Sequence, residues 1–160
     1  MKGMNFNMND DFRIEISVPT DDDGYILLNC PNCTTYFKAT PNDIEDDGIL
    51  ELFCPSCGLV GENYITEDVL ELAFAMAQNK AMDLIYDEFK KMEHQLNKGA
   101  ITFKAGKQPK HEPETPIRSG IDSLEIATFD CCGRSAKVKP MLKITGCYCP
   151  FCGVKNYEVE

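Results

Sequence analysis

The chain has 160 residues and a formal net charge of −10, a length that suits one modest domain or two very small ones. That negative balance argues against broad, non-specific binding to a phosphate backbone. There is no long uncharged apolar run to span a membrane, and the start "MKGMNFNMNDDF" lacks the apolar core and cleavage site of a secretory signal. Nine cysteines in a chain without such a signal point to a reducing, cytoplasmic setting, where clustered Cys hold metal more often than they form disulfides. The charge is unevenly divided. Residues 1–98 carry 7 basic and 19 acidic side chains, net −12, and residues 99–160 carry 9 and 7, net +2.

Residues 1–11 are rich in Asn, Met and Asp and read as a disordered tail. In "FRIEISVP" the residues Phe12, Ile14, Ile16 and Val18 alternate at period two, a strand signal closed by Pro19. "TDDDG" is a turn, and "YILLNC" reads as a second strand, so a hairpin is expected over residues 12–29. The acidic run Asp21–Asp23 reads as a solvated turn, since it lacks the alternating ligands and later Glu of a calcium loop.

The next segment is "CPNCTTYFKATPNDIEDDGILELFCPSCG". Cys30 and Cys33, a 20-residue interval, then Cys54 and Cys57 have the spacing of a four-cysteine zinc site. Two tight turns each present two sulfurs to one ion at about 2.3 Å, and the interval must fold back to bring them together. Tyr36, Phe37 and Lys38 can form one arm and "ILELF" the other, turning through "TPNDIEDDG". The "CPNC" and "CPSCG" turns, over residues 25–60, resemble the zinc ribbon superfamily, in particular ribbons like that of transcription factor IIB. The resemblance implies a structural zinc on Cys30, Cys33, Cys54 and Cys57. Ribbons occur in transcription factors, ribosomal proteins, enzymes and adaptors, so the likeness does not set a function.

From Thr66 to Lys98 the pattern becomes helical. Thr66 is a candidate N-cap, Glu67 and Asp68 suit the positive end of the dipole, and Lys98 with Gly99 supply the stop. Met82, Ile85, Phe89, Met92 and Leu96 step by 3, 4, 3, 4 as a coiled-coil-like seam. Leu70, Phe74, Ala77, Ala81 and Leu84 form another stripe. Two small ribbons offer little to bury so long a helix against, so a protein partner or a second copy is expected on at least one stripe. "KAGKQPKHEPETPIRS" carries three prolines and mixed charge and reads as a flexible linker between folded units.

A second cysteine cluster lies in "DCCGRSAKVKPMLKITGCYCPFCG". "YCPFCGVKNYEV" repeats "FCPSCGLVGENYI", and "LEIATFDCCG" repeats "GYILLNCPNC" with two residues missing between the thiols. Cys131 then matches Cys30, giving the ligand set Cys131, Cys132, Cys149 and Cys152. The rival set puts Cys147 in place of Cys131 or Cys132, because Cys147 shares a strand face with Cys149. The hairpin is expected to turn at Pro140-Met141, with "RSAKVK" facing "LKITGCY".

Catalysis finds little support. Both clusters can be closed by Cys alone, whereas catalytic zinc keeps an open position. His94 lies on the helix and His111 in the linker, away in sequence from both. The sequence therefore predicts a small α+β protein with a disordered tail (1–11), a β-hairpin and zinc ribbon (12–65), a long helix (66–98), a linker (99–120) and a second zinc ribbon (121–160). Two functional expectations follow. One is a non-catalytic zinc-binding adaptor assembling through the helix. The other is a nucleic-acid or transcription-associated module using Arg134, Lys137, Lys139 and Lys143, with Tyr148 and Phe151 nearby, as a basic and aromatic face.

Overall fold

The computed structural model describes residues 4–7, 13–97, 102–118, 120–121 and 123–157. In chain order the strands and helices are β1 (Met4–Asn7), β2 (Arg13–Ile16), β3 (Ile26–Asn29), β4 (Tyr36–Ala39), α1 (Pro41–Ile44) and α2 (Glu67–Leu96). They continue as β5 (Glu125–Phe129), β6 (Arg134–Val138), α3 (Pro140–Thr145), β7 (Cys147–Tyr148) and β8 (Lys155–Asn156). The chain divides into two compact units, residues 1–17 with 68–116 and residues 18–67 with 117–160.

In the helical unit, β1 pairs antiparallel with β2 in the register Met4↔Ile16 and Phe6↔Ile14. Residues 4–7, expected in a disordered tail, are thus a strand; the rest of 1–11, and Phe12, lie outside the described residues. The expected 12–29 hairpin does not form, because β2 pairs with β1 while β3 pairs with β4. Pro19, which has no N–H for a ladder, and the Asp21 turn separate β2 from β3. Helix α2 runs 30 residues, about 45 Å at 1.5 Å per residue, close to the predicted span; Lys98 and Gly99 lie outside the described residues.

The predicted linker is not free. It returns antiparallel along α2, held by polar side chains of the helix. Phe103 N–H donates to Asn97 and Ala105 N–H to Glu93, His111 Nε2 lies 2.9 Å from Asp83, and Glu112 N–H donates to Asn79 Oδ1 at 2.7 Å. Asn79 is buried and donates in turn to the Glu112 carbonyl and the Glu114 carboxylate. A proline-rich strap that cannot pair with itself satisfies its backbone on helix side chains instead.

In the second unit the two cysteine ribbons, expected as separate modules, form one four-stranded sheet in the order β3-β4-β6-β5. They share one core, to which the first ribbon gives Ile26, Leu28, Phe37 and Ala39 and the second gives Ala127, Phe129, Ala136 and Val138. Joining the sheets answers a size problem: a single ribbon buries too little apolar surface to stand alone.

The join has internal two-fold character. The middle strands meet at Lys38↔Lys137, and each lysine stands five residues after the second cysteine of its own turn, Cys33 or Cys132. Pro41 and Pro140 stand eight residues after the same cysteines, and each opens a short helix with proline in its first turn, where its missing N–H costs nothing. Thr40 caps the first by accepting from Asp43 N–H. These helices replace the expected turns. "RSAKVK" does not face "LKITGCY": β6 pairs with β5 and β4, while the residues after Pro140 coil into α3. Proline cannot extend a ladder but suits a helix start.

Two lysines in direct register would repel, and Lys38 is only 3% exposed. Asp21 resolves this. Its Oδ2 accepts from both Lys38 and Lys137 at 2.9 Å, and its Oδ1 accepts from the Tyr25 N–H. Burial alone would raise the Asp21 pKa, but the donors Lys137, Lys38 and Tyr25 outweigh it and hold the carboxyl below its usual range. The acidic run is therefore not a merely solvated turn: Asp21 is 15% exposed, while Asp23, also paired with Lys137, is 58% exposed.

Removing Asp21 leaves a buried ammonium unpaired. Asp21→Ala should destabilise the second unit by about 3 kcal/mol in denaturant unfolding at neutral pH, and Asp23→Ala by less than ~1 kcal/mol. Equal effects would mean that Asp21 does not hold the join.

Candidate metal centres

Each cysteine pair sits on a turn built the same way. The N–H of the residue after the second cysteine bonds back four residues: Thr34 to Cys30, Gly58 to Cys54, Gly133 to Phe129 and Gly153 to Cys149. All four donors have positive φ, +56° for Thr34 and +68° to +71° for the glycines. Glycine adopts that conformation freely, and the β-branched Thr34 does so at a cost.

These turns gather two sets of thiols. Cys30, Cys33, Cys54 and Cys57 form one, and Cys131, Cys132, Cys149 and Cys152 the other, with the sulfurs of each set within 4.8 Å of one another. Every predicted ligand is thus brought into a tetrad able to share one metal ion. Cys147 is fully buried in the core and belongs to neither; burial pushes its thiol pKa up.

The second tetrad is not the first with two residues deleted. In the turn of the first ribbon the acceptor carbonyl belongs to Cys30, and in the second it belongs to Phe129. Phe129 therefore occupies the position of Cys30, and Cys131 aligns with Asn32. This corrects the expected match of Cys131 to Cys30. The consequence is a change of depth. Cys30 and Cys54 are buried and Cys33 and Cys57 half-buried, whereas Cys131, Cys132 and Cys152 are exposed and only Cys149 is buried.

The thiols are electrostatically uneven. Burial pushes the Cys33 pKa up, but hydrogen bonds from the Thr35 hydroxyl and N–H and from the neighbouring thiols outweigh it and bring it down to about 6. Burial raises Cys54 despite N–H donation from Cys57 and Ser56, and raises Cys149 in the same way. Cys131 is lowered, because contacts from Cys152 and Asn156 outweigh its burial. In each set one thiol ionises early while a buried neighbour resists. Were all four thiols of a set ionised this close together, they would need a cation among them.

The two tetrads are clasped together by reciprocal contacts. The Phe53 N–H donates to the Pro150 carbonyl at 2.8 Å, and the Tyr148 N–H to the Pro55 carbonyl at 2.9 Å. Each aromatic also lies on the turn glycine of the other ribbon: a Cβ built on Gly58 would fall 2.8 Å from the Tyr148 ring, and one on Gly153 would fall 2.9 Å from Phe53. The sequence reading missed this clasp, although an aromatic before each "CP" is visible in the repeat.

The expected basic face is largely consumed within the chain. Arg134 pairs with Asp43 at 3.2 Å and Asp46 at 2.7 Å, Lys137 pairs with Asp21 and Asp23, and Lys143 donates to the Ile126 carbonyl. Phe151 is buried with Arg134 over its ring, and Tyr148 packs on Gly58. Lys139 is exposed. No helix among the described residues is long and apolar enough to cross a membrane. No protein-family model, curated protein or solved structure gives a significant match to the chain.

Two substitutions test this geometry. Cys147→Ala should keep metal in both tetrads by elemental analysis, and Cys132→Ala should lose it from the second; the opposite result would place Cys147 in the site. Gly58→Ala should cost more stability than Gly24→Ala. Both positions have positive φ, but nothing lies within 4 Å of a Cβ at Gly24. The conformational cost of about 1 kcal/mol is common to both, and the clash with Tyr148 should add about 1–3 kcal/mol at Gly58 alone.

Proposed function

We propose that the protein is a non-catalytic, zinc-stapled adaptor that assembles through α2. The observation carrying the zinc reading is the pair of all-thiol tetrads. A tetrahedral ion with sulfurs at about 2.3 Å places those sulfurs about 3.8 Å apart. The near pairs of the first tetrad lie at 3.8 Å (Cys30–Cys57) and 3.5 Å (Cys33–Cys54), and those of the second at 3.5 Å (Cys132–Cys149) and 3.1 Å (Cys131–Cys152). Four soft thiolates in a closed shell suit zinc as a structural ion and reserve no coordination position for a substrate.

The assembly reading rests on exposure. Along one side of α2, Phe74, Ile85, Phe89, Met92 and Leu96 are 73%, 55%, 43%, 38% and 42% exposed, while Met82 is half-buried. The strap contributes Phe103 beside Phe89, with ring centroids 6.3 Å apart, and the stripe stays open around that contact. The 3-4 spacing is self-complementary, so a second copy of the chain is its simplest occupant. Full burial of each such side chain is worth about 1.5–3 kcal/mol. The nucleic-acid reading is weaker, because three of its four cations, Arg134, Lys137 and Lys143, and both of its aromatics are engaged within the chain.

Native mass spectrometry of reduced, freshly purified protein should give two zinc ions per chain and a dimer. Ile85→Glu combined with Phe89→Glu should give a zinc-loaded, folded monomer. A monomer before substitution, or unfolding with zinc loss after it, would assign the stripe to the interior of a single chain and overturn the assembly reading.

A further inference from the structure

We propose that the second tetrad is an oxidation-sensitive metal site, in which peroxide joins Cys131 to Cys152 and releases the ion while the first tetrad keeps its own. The inference rests on the zinc reading above and adds a modification chemistry to one of the two centres.

The argument begins with depth. Phe129 holds the place that Cys30 fills in the first ribbon, so the corresponding ligand comes from Cys131, on the outer side of the turn. Three of its four sulfurs are in exposed residues, against none in the first tetrad. Oxidation of cysteine follows thiolate character and exposure, and it becomes reversible where a second thiol stands close enough to resolve the first product. Cys131 and Cys152 are both exposed, with sulfurs 3.1 Å apart, closer than the 3.5 Å between Cys132 and the buried Cys149. A disulfide between the adjacent Cys131 and Cys132 is disfavoured, since neighbouring Cα atoms are about 3.8 Å apart and disulfides ordinarily span about 4.4–6.8 Å.

The chemistry balances with hydrogen peroxide as the two-electron oxidant. One of these two thiolates attacks one peroxide oxygen, the O–O bond breaks, and hydroxide leaves as that sulfur becomes a sulfenic acid. The other thiolate then attacks that sulfur and displaces a second hydroxide, forming the S–S bond. Two thiolates are oxidised, the peroxide is reduced to two hydroxides that take up two protons as water, and Cys132 with Cys149 is left as a two-thiol remnant. Two sulfur ligands hold zinc far less well than four, so the ion departs.

The product need not unfold the ribbon. Cys131 lies on the turn after β5 and Cys152 on the turn after β7, the same two turns that the ion bridges, so the disulfide replaces one cross-link with another. The clasp of Phe53 on Gly153 and Tyr148 on Gly58 then remains in place, and the more deeply buried first tetrad stays loaded.

The test is a peroxide titration of the two-zinc holoprotein, with a chromophoric zinc indicator and alkylation mapping of free thiols. Expected is release of one zinc equivalent in a fast phase, a Cys131–Cys152 linked peptide under non-reducing digestion, and continued protection of Cys30, Cys33, Cys54 and Cys57. Dithiothreitol with added zinc should restore the second ion. Cys147→Ala should behave identically; loss of the fast phase in that variant would make Cys147 the resolving thiol and overturn the proposal. Release of both equivalents in one phase, earlier release from the first tetrad, or a Cys131–Cys132 linkage would also overturn it while leaving the zinc reading intact. Protein that carries no zinc before peroxide would overturn both.

Discussion

The second unit depends on a single carboxylate between two ammonium groups. Antiparallel pairing of β4 with β6 brings Lys38 opposite Lys137, an arrangement that repulsion opposes. With Asp21 accepting from both, the same register becomes a point of attachment. The acidic turn before β3 thus fixes the middle of a four-stranded sheet, and the Arg134 pairs to Asp43 and Asp46 extend the join along β6. A chain of net charge −10 spends much of the basic charge on its second ribbon holding the two ribbons together. The electrostatics that suggested a nucleic-acid surface in the sequence are, in the fold, mostly internal.

Around that join the ribbons behave as two copies of one design. Each contributes a strand, a cysteine turn, a second strand, a proline-led short helix and a second cysteine turn. Their contact is reciprocal at both ends, through Lys38↔Lys137 in the sheet and through the Phe53–Pro150 and Tyr148–Pro55 hydrogen bonds at the second cysteine turns. Reciprocity of this kind has an energetic meaning. Neither ribbon buries enough surface alone, and each second cysteine turn supplies the carbonyl and the aromatic that hold the other. The two candidate centres therefore lie within one compact unit.

The copies differ where it matters chemically. Substitution of Phe129 at the position of Cys30 adds a fully buried aromatic to the shared core and moves one thiol outward by two residues. Apolar burial and metal depth are traded against each other at that one position. The first tetrad is the more enclosed, and the second is the more accessible to solvent, to chelators and to oxidants.

Much of the two cysteine tetrads is determined by the sequence alone. Cysteine spacing is a local property, and the turns that present Cys54 with Cys57 and Cys149 with Cys152 need only the residues "CPSCG" and "CPFCG" to form. The long helix is equally local, since its periodicity and uninterrupted run of helix formers lie within α2 itself. The partnership of strands was decided only by tertiary structure. Period-two alternation marks β2 and β3 as strands, yet it carries no information on whether they pair with each other, with β1 or with β4. The same limit applied to Asp21, which looks solvated until the lysines from two ribbons, 99 residues apart in sequence, meet around it. It applied also to Cys131, whose place in the turn is set by the Gly133 to Phe129 hydrogen bond rather than by its resemblance to Cys30. Spacing determines which residues can form a turn, but the partners of a strand, a buried charge or an outer ligand come from elsewhere in the chain, and only the folded packing brings them together.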